Sequence, residues 1–467
     1  MQGVLHLPNV LLAKLPWKKV LGAAAAAAVA TGGIGYGVSK TDGLGGGGGG
    51  SGTANIWVDS DGGTCVDNAS LVSYDTATAC GSLQAANATC DNGDVVLIKV
   101  GTNYPGESIT GTGNGRTSMC TISAESGKAI FTSDVLIGSQ PINGVPQNGP
   151  DWLTINNIQC GTSTTSATNE AELYIYDNSN NIVIDGWDCA SFDLFHALNV
   201  TIKNGDWGPC GSSSSRKCLT RFAVNGAPAN LLIENNKIHD IYCGNGSPSA
   251  CDLYHTDGLA IFGGDGITVR GNKFYRNDVI NIRIQECCTN DPIKNLTIEN
   301  NWFGPTCNGS TSAWTPCTVG TSGQGIDVDS PIDGLKVRFN SFTTGGGIVL
   351  RVGTDFGTAA SPAEFVGNSL TVGNGCGNFA NYRYNASRPF SAFSGQTPCG
   401  ATDVLVPIAT GFGYTTEDVN SIDYHIGSGS ALNNIVPTTV TGGCPATDID
   451  GTARPINTNC DAGSDER

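Results

Sequence analysis

The chain has 467 residues, a formal net charge of −17, 14% charged residues and 65 glycines. So acidic a chain excludes a nucleic-acid backbone as partner, because phosphate binding needs a basic stripe; an acidic polysaccharide would need a local basic patch or bridging Ca²⁺. Sparse charge with abundant Gly, Asn, Ser and Thr describes a turn-rich all-β protein, not a helical one.

At the N-terminus, Lys14, Lys18 and Lys19 precede an apolar run from Val20 to Ala30, and Ala28-Val29-Ala30 fits an A-x-A cleavage site. Residues 1–30 therefore read as a signal peptide, with a retained membrane anchor as the alternative. Gly32, Gly33, Gly35 and Gly37 dilute any longer apolar span. Residues 31–53 read as a Gly-rich linker. Export to the extracellular space or cell envelope agrees with the 18 cysteines, scattered from Cys65 to Cys460. Five histidines and no Cys/His cluster of zinc-ligand spacing make disulfides the better reading. Their pairing stays open, although the adjacent Cys287 and Cys288 are expected to take different partners.

Residues 54–94 read as an N-terminal strand and cap. From there the chain repeats. Leu231–Asn236, Ile267–Asn272, Leu296–Asn301, Leu335–Asn340 and Ala363–Asn368 are six-residue segments whose final Asn residues lie 36, 29, 39 and 28 residues apart. Such lengths suit one coil of a β-solenoid with loops of variable size. First and third positions are apolar and point inward on a period of two. The fifth is Asn235, Gly271, Asn300, Phe339 or Gly367, and four of these five tolerate the left-handed conformation of a sharp corner. The stacked Asn can bond from coil to coil. Two residues on, Ile238, Phe274, Phe303, Phe342 and Leu370 form an inward stack. The outward fourth positions read Glu234, Arg270, Glu299, Arg338 and Val366, an alternating charge ladder that only parallel stacking explains. The fold expected is a right-handed parallel β-helix over residues 95–372, with an N-terminal cap and disulfide-rich loops. Residues 373–467 form a loop-rich tail over the last coils, with His425 at the last of them.

A second strand precedes each segment: Phe222-Ala-Val, Leu259-Ala-Ile, Ile282-Arg-Ile, Ile326-Asp-Val and Ile348-Val-Leu. Register puts Ala260, Arg283, Asp327 and Val349 in one outward column and Phe262, Gln285, Asp329 and Arg351 in the next. Carboxylates at i and i+2 of a strand lie about 6.7 Å apart, which suits a paired-carboxylate hydrolase or a Ca²⁺ site. An Arg beside them could neutralise a uronate or serve as a lyase base. The bland alternative is a second ion-pair ladder.

The chain resembles the pectate-lyase-like right-handed β-helix superfamily, in its bacterial secreted branch. Ile56-Trp-Val-Asp, Leu83-Gln-Ala-Ala and Gly93-Asp-Val-Val-Leu are similar to that branch's opening strand, capping helix and first coil. The Asn-ended coils follow, and Asp423-Tyr-His-Ile-Gly-Ser-Gly-Ser-Ala, Asp448-Ile-Asp-Gly-Thr-Ala-Arg-Pro and Cys460-Asp-Ala-Gly-Ser-Asp-Glu are similar to its closing tail. The superfamily holds lyases, hydrolases, epimerases and binding proteins, so the resemblance implies architecture and leaves function open. His255-Thr-Asp-Gly resembles the Asn-Thr-Asp-Gly of polygalacturonase-type hydrolases, and Arg283-Ile-Gln their Arg-Ile-Lys. The Asp-Asp pair and Gly-His-Gly that stand between the two in that family are missing.

The candidate catalytic residues are Asp257, His255, Arg283, Asp327 and Asp329. Asp257 is an acid or base tuned by His255, or a turn-former before Gly258. Asp252, Gln285 and Arg351 are candidate substrate contacts, and Trp187 and Trp207, flanking loops, are candidate sugar-stacking rings. His239-Asp240 reads as a solvated turn pair. The residues point to no definite cofactor, with Ca²⁺ as the one candidate ion. Two functions stay open. One is a polysaccharide lyase or glycoside hydrolase; the other is a non-catalytic surface adhesin or glycan-binding structural protein. Either is expected to be a monomer whose partner is extracellular polysaccharide.

Overall fold

The structure is a computed structural model. It describes residues 52–467 apart from 112–114, 140–147, 163–170, 177, 213–220, 223–228, 244–256, 278–279, 287–291, 307–323, 331, 344–346, 351–360, 373–379, 390–397, 408–410 and 419–421. The chain divides into Met1–Gly49 and Gly50–Arg467. The first unit lies outside the described residues, and with it the signal or anchor segment 1–30 and most of the linker. No helix among the described residues is long and apolar enough to cross a membrane.

Alternation decides the strands. Leu231, Ile233, Ile267, Val269, Leu296, Ile298, Leu335, Val337, Ala363 and Phe365 are all buried in one core, and their segments stack in parallel, Leu231 on Ile267 and Ile298 on Val337. The described residues form a 13-stranded sheet (sheet one) that contains these segments, a 12-stranded sheet (sheet two) entered after each corner Asn, and a 9-stranded sheet (sheet three) that leads back to sheet one. This is a parallel β-helix. Its apolar cluster runs from Ile56 to Leu370, with Phe274 and Phe342 on either side of Phe303 at centroid distances of 5.2 and 4.6 Å.

The corner asparagines carry the stacking. Asn236 Nδ2 donates to Asn272 Oδ1 at 3.0 Å, Asn272 to Asn301, Asn301 to Asn340 and Asn340 to Asn368, each at 3.0 Å. Each Oδ1 also accepts the main-chain N–H of the preceding corner. Buried amides in such a row leave few polar groups unmade, which is the condition for tolerating them in a core. The residue before each Asn takes positive φ: Asn235 56°, Gly271 66°, Asn300 61°, Phe339 51° and Gly367 64°. Phe339 is the bulky exception. Its ring fills the space that a side chain at Gly367 would need.

The ladders outrun the 95–372 expectation at both ends. Sheet one opens at Ile56–Val58 and closes at Ala380–Arg383, and sheet two ends at Val404–Leu405. Asn385 and then Asp403 prolong the corner row. At the N-terminal end, helix α1 (Leu83–Thr89) is capped by Ser82 and buries Leu83 and Ala86 against the core. Buried Arg116 donates to the carbonyls of Asn87, Cys90 and Asp151, tying the end of that helix to the coils. The disulfides Cys65–Cys80, Cys90–Cys120, Cys160–Cys189 and Cys444–Cys460 are formed, and Cys210 and Cys399 are also disulfide-bonded.

The tail lies along sheet two instead of sitting only over the last coils. Tyr424 packs on Trp302, Tyr414 bonds Ser369, and Ser464 N donates to Ser341 Oγ at 2.9 Å. Beyond Trp302 the outward column continues through small residues, Ser341, Ser369 and Ala386, which leave room for the tail. The tail adds its own apolar cluster, in which Phe412, Ile426, Leu432 and Val436 meet Phe339 and Val366. His425 therefore lies against Trp302, coils before the last one, and not at the end of the helix.

Candidate functional site

Sheet three positions the charged residues. Leu259–Ile261, Ile280–Ile284, Gln324–Val328 and Gly347–Leu350 stack in parallel, with Ala260 beside Arg283, Arg283 beside Asp327 and Asp327 beside Val349. Leu259, Ile261, Ile282, Ile284, Ile326 and Val328 fill the core, so the alternate positions point outward. Arg283 Nη2 donates to Asp329 Oδ2 at 2.8 Å and its Nε to Gln285 Oε1 at 3.1 Å. The guanidinium thus pairs diagonally, one coil on and two residues along. Asn281, on the same outward row, donates to Gly304 O and accepts from Asn277. Arg283 is 6% and Asp327 0% exposed. Charges taken so far from water cost several kcal/mol each before pairing repays them.

Among the described residues, Arg283 competes with any cation for Asp329. Asp329 already offers an oxygen to a guanidinium at 2.8 Å, and a second cation beside that carboxylate would meet Arg283 in repulsion.

Asp257 precedes the strand that carries Ala260. It is 1% exposed and stands two residues before the strand Leu259–Ile261, where Gly258 N donates to Ile280 O. His255, Asp252 and Arg351 lie outside the described residues. The sugar-stacking expectation for Trp187 and Trp207 is corrected: both rings are fully buried. Trp207 stacks beside Ile238 in the inward row and donates to Asn236 Oδ1 at 3.1 Å. Trp187 takes the corner position. Its Nε1 donates to Ile155 O at 2.9 Å, as Asn236 Nδ2 donates to Ile202 O two register-matched strands later. The indole stands in for a corner amide.

Sequence reasoning passed over a second cluster, on sheet two. His239-Asp240 is a buried network and not a solvated pair. His239 Nε2 meets Asp206 Oδ1 and its Nδ1 meets Asp240 Oδ2, both at 2.6 Å. Arg276 bonds Asp240, and the imidazole stacks on Tyr275 at 4.9 Å. Burial alone would lower the pKa of His239, but the bonds to Asp206 and Asp240 raise it above 6.5. Burial pushes the carboxyl of Asp206 up, while His239 and Lys237 bring it below its ordinary value. The signal was available: Asp206, Lys237 and Lys273 share one column, and His239 and Tyr275 the next.

No protein-family profile matches the chain, and no curated protein matches it. Solved structures do. Pectate lyase Pel9A is similar at 15% identity over 88% of this chain and 96% of that one, with a TM-score of 0.45. The periplasmic alginate epimerase AlgG is similar at 12% identity over 63% of this chain and 74% of that one, with a TM-score of 0.24. The likeness is one of fold.

Proposed function

We propose that this is an exported protein that acts on extracellular polysaccharide, bound across the outward face of sheet three, with Asp327 and Asp329 as its working carboxylates. The observation that carries this reading is the pairing of buried Arg283 with Asp329 beside buried Asp327, at outward positions of neighbouring coils. Coils repeat every ~4.8 Å along such a face, so an extended chain of sugars laid over it meets the same column again and again. Formed disulfides support an oxidising compartment.

Arginine stays protonated in proteins. Arg283 therefore supplies charge and orientation, neutralising an acidic sugar or holding a hydroxyl, and does not remove a proton. Asp327 lies on the strand Gln324–Val328 and Asp329 follows its end, about 6.7 Å further along the backbone. A pair of carboxylates could serve hydrolysis as acid and base, and an Arg beside an acidic sugar could serve elimination, so the products formed decide between them.

The mature chain, incubated with a panel of neutral and acidic glycans, tests this. New reducing ends identify hydrolysis; absorbance from an unsaturated uronate identifies elimination. Asp327→Asn should reduce either by about 100-fold or more while leaving glycan binding in place. Full activity in Asp327→Asn refutes the assignment. Binding with neither product makes the chain a glycan-binding surface protein.

A further inference from the structure

The tail is joined to itself and to sheet two around one imidazole. His425 lies on the tail strand Asp423–Ile426. Its Nδ1 meets Asp423 and its Nε2 meets Asp450, so the ring links that strand to the turn that begins at Asp448. Its edge rests on Trp302, with centroids 5.2 Å apart and planes at 90°. Asp465, buried, closes another side and accepts from Ile426 N at 2.8 Å. Asp448 is turned into its own loop by bonds from Asp450 N and Thr452 N. From sheet two, Lys273 places its Nζ 3.8 Å over the Trp302 ring. Arg467 donates to Ile426 O on the strand of the histidine.

An imidazole donates from both nitrogens only when it is protonated. The neutral ring keeps one N–H, so one of its two carboxylates would then face a lone pair, with Asp465 adding negative charge beside it. We propose that the C-terminal tail is a pH-operated strap: as an imidazolium His425 clasps Asp423 to Asp450 and seats the tail on sheet two, and loss of that proton loosens the tail over Trp302.

The neighbouring groups act in the same sense. Burial lowers the pKa of His425, but Asp450 and Asp423 more than offset this and raise it above 6.5. Burial raises the carboxyls of Asp461, Asp465 and Glu466 above their ordinary values. Each of these groups holds its proton more tightly in the seated tail than in a released one, so acid tightens the strap and alkali loosens it. The contribution of His425 is complete below its unfolded value of about 6.5 and is lost as pH rises through its raised folded value. Burial lowers the ammonium of Lys273, which opposes the trend only where lysines titrate.

Amide hydrogen exchange of the intact chain across pH, corrected for the intrinsic rate at each pH, tests the strap. The amides of Ile426, Asn434 and Asp461 report the tail, because they bond Asp465, Asp461 and Glu466; the Asn301 amide in the corner row is the reference. Tail protection should fall between about pH 6 and about pH 9, tenfold for each unit by which the folded value exceeds the unfolded one, with Asn301 unchanged. His425→Gln should flatten the profile at its lower level. Asp450→Asn should hold it at the acid level, since a neutral ring can donate to Asp423 and accept from the new amide; this variant carries the test should His425→Gln fail to fold. A flat wild-type profile, or a slope that survives His425→Gln, overturns the proposal. So does recovery of alkaline protection on adding Ca²⁺, which would make the cluster a cation site.

Discussion

Replacing Asn301 by Ala should open the β-helix at its middle. Asn301 Oδ1 accepts both the main-chain N–H and the Nδ2 of Asn272, at 2.9 and 3.0 Å. Its own Nδ2 donates to Val269 O, Glu299 O and Asn340 Oδ1. In the alanine variant Asn272 Nδ2 keeps Ile233 O and Arg270 O, and Asn340 Oδ1 keeps the Asn301 N–H. The Asn272 N–H is left buried with no acceptor, at about 1–3 kcal/mol, and the two hydrogens of the lost Asn301 Nδ2 count for about 1 kcal/mol each, giving ~3–5 kcal/mol in all. Coils contact chiefly their neighbours, so global unfolding is not two-state and a melting temperature would blur the effect. Amide exchange is the suitable assay: 3 kcal/mol lowers protection by about 100-fold, centred on Asn272 and Asn340. Asn230→Gly is the control. Asn230 donates to Asn199 in an exposed row and sits at φ 57°, where Gly is at ease, so it should change stability by no more than about 0.5 kcal/mol. Equal effects from the two variants would refute the claim that the buried row holds the coils together.

Arg116→Met should free the capping helix at a cost of about 2–4 kcal/mol, because three buried carbonyls lose their donor; faster exchange confined to Leu83–Thr89 and its neighbours checks it. Phe339→Asn relieves a left-handed residue, worth about 1–2 kcal/mol, but removes a ring from the tail cluster, worth about 3–5 kcal/mol. The net result should be destabilisation of about 2–3 kcal/mol, read by denaturant titration of tail signals. The imidazole of His239 should titrate above 6.5 by NMR. Being raised, its contribution is complete below that value and declines as pH rises through the folded pKa, and Asp206→Asn should move the titration downward.

The coils were legible because each repeats the same demand: apolar residues at two inward positions, an amide at the corner, a residue tolerant of positive φ before it. Where a coil met that demand with different chemistry, the register was lost. Gly205 stands at the corner, its N–H donating to Asn236 Oδ1, and with no Asn to mark it Trp207 looked like a loop aromatic instead of the next member of the inward row. Trp187 fills the same corner one coil earlier. Ala380–Arg383 was missed because Tyr382 and Tyr384 take the inward and left-handed positions that aliphatic and small residues occupy elsewhere.

The site was harder for a reason that lies in the pleat. Outward residues are not constrained by the core, so the sequence carries a column of charges without saying which charge meets which. Register alone set Arg283 beside Asp327, and that pairing of strands is present, yet the guanidinium reaches past it to Asp329, because an arginine is long enough to span a diagonal of about 7–8 Å. Asp257 shows the opposite limit. One residue of offset separates the inward from the outward face, and a motif read as a string, His255-Thr-Asp-Gly, does not reveal its parity. Asp257 stands before the strand Leu259–Ile261 begins, so alternation within that strand does not assign its face. Chemistry on this fold is thus assigned by face and column before residue type, and the residues that pass that filter are the ones whose substitution should separate turnover from binding.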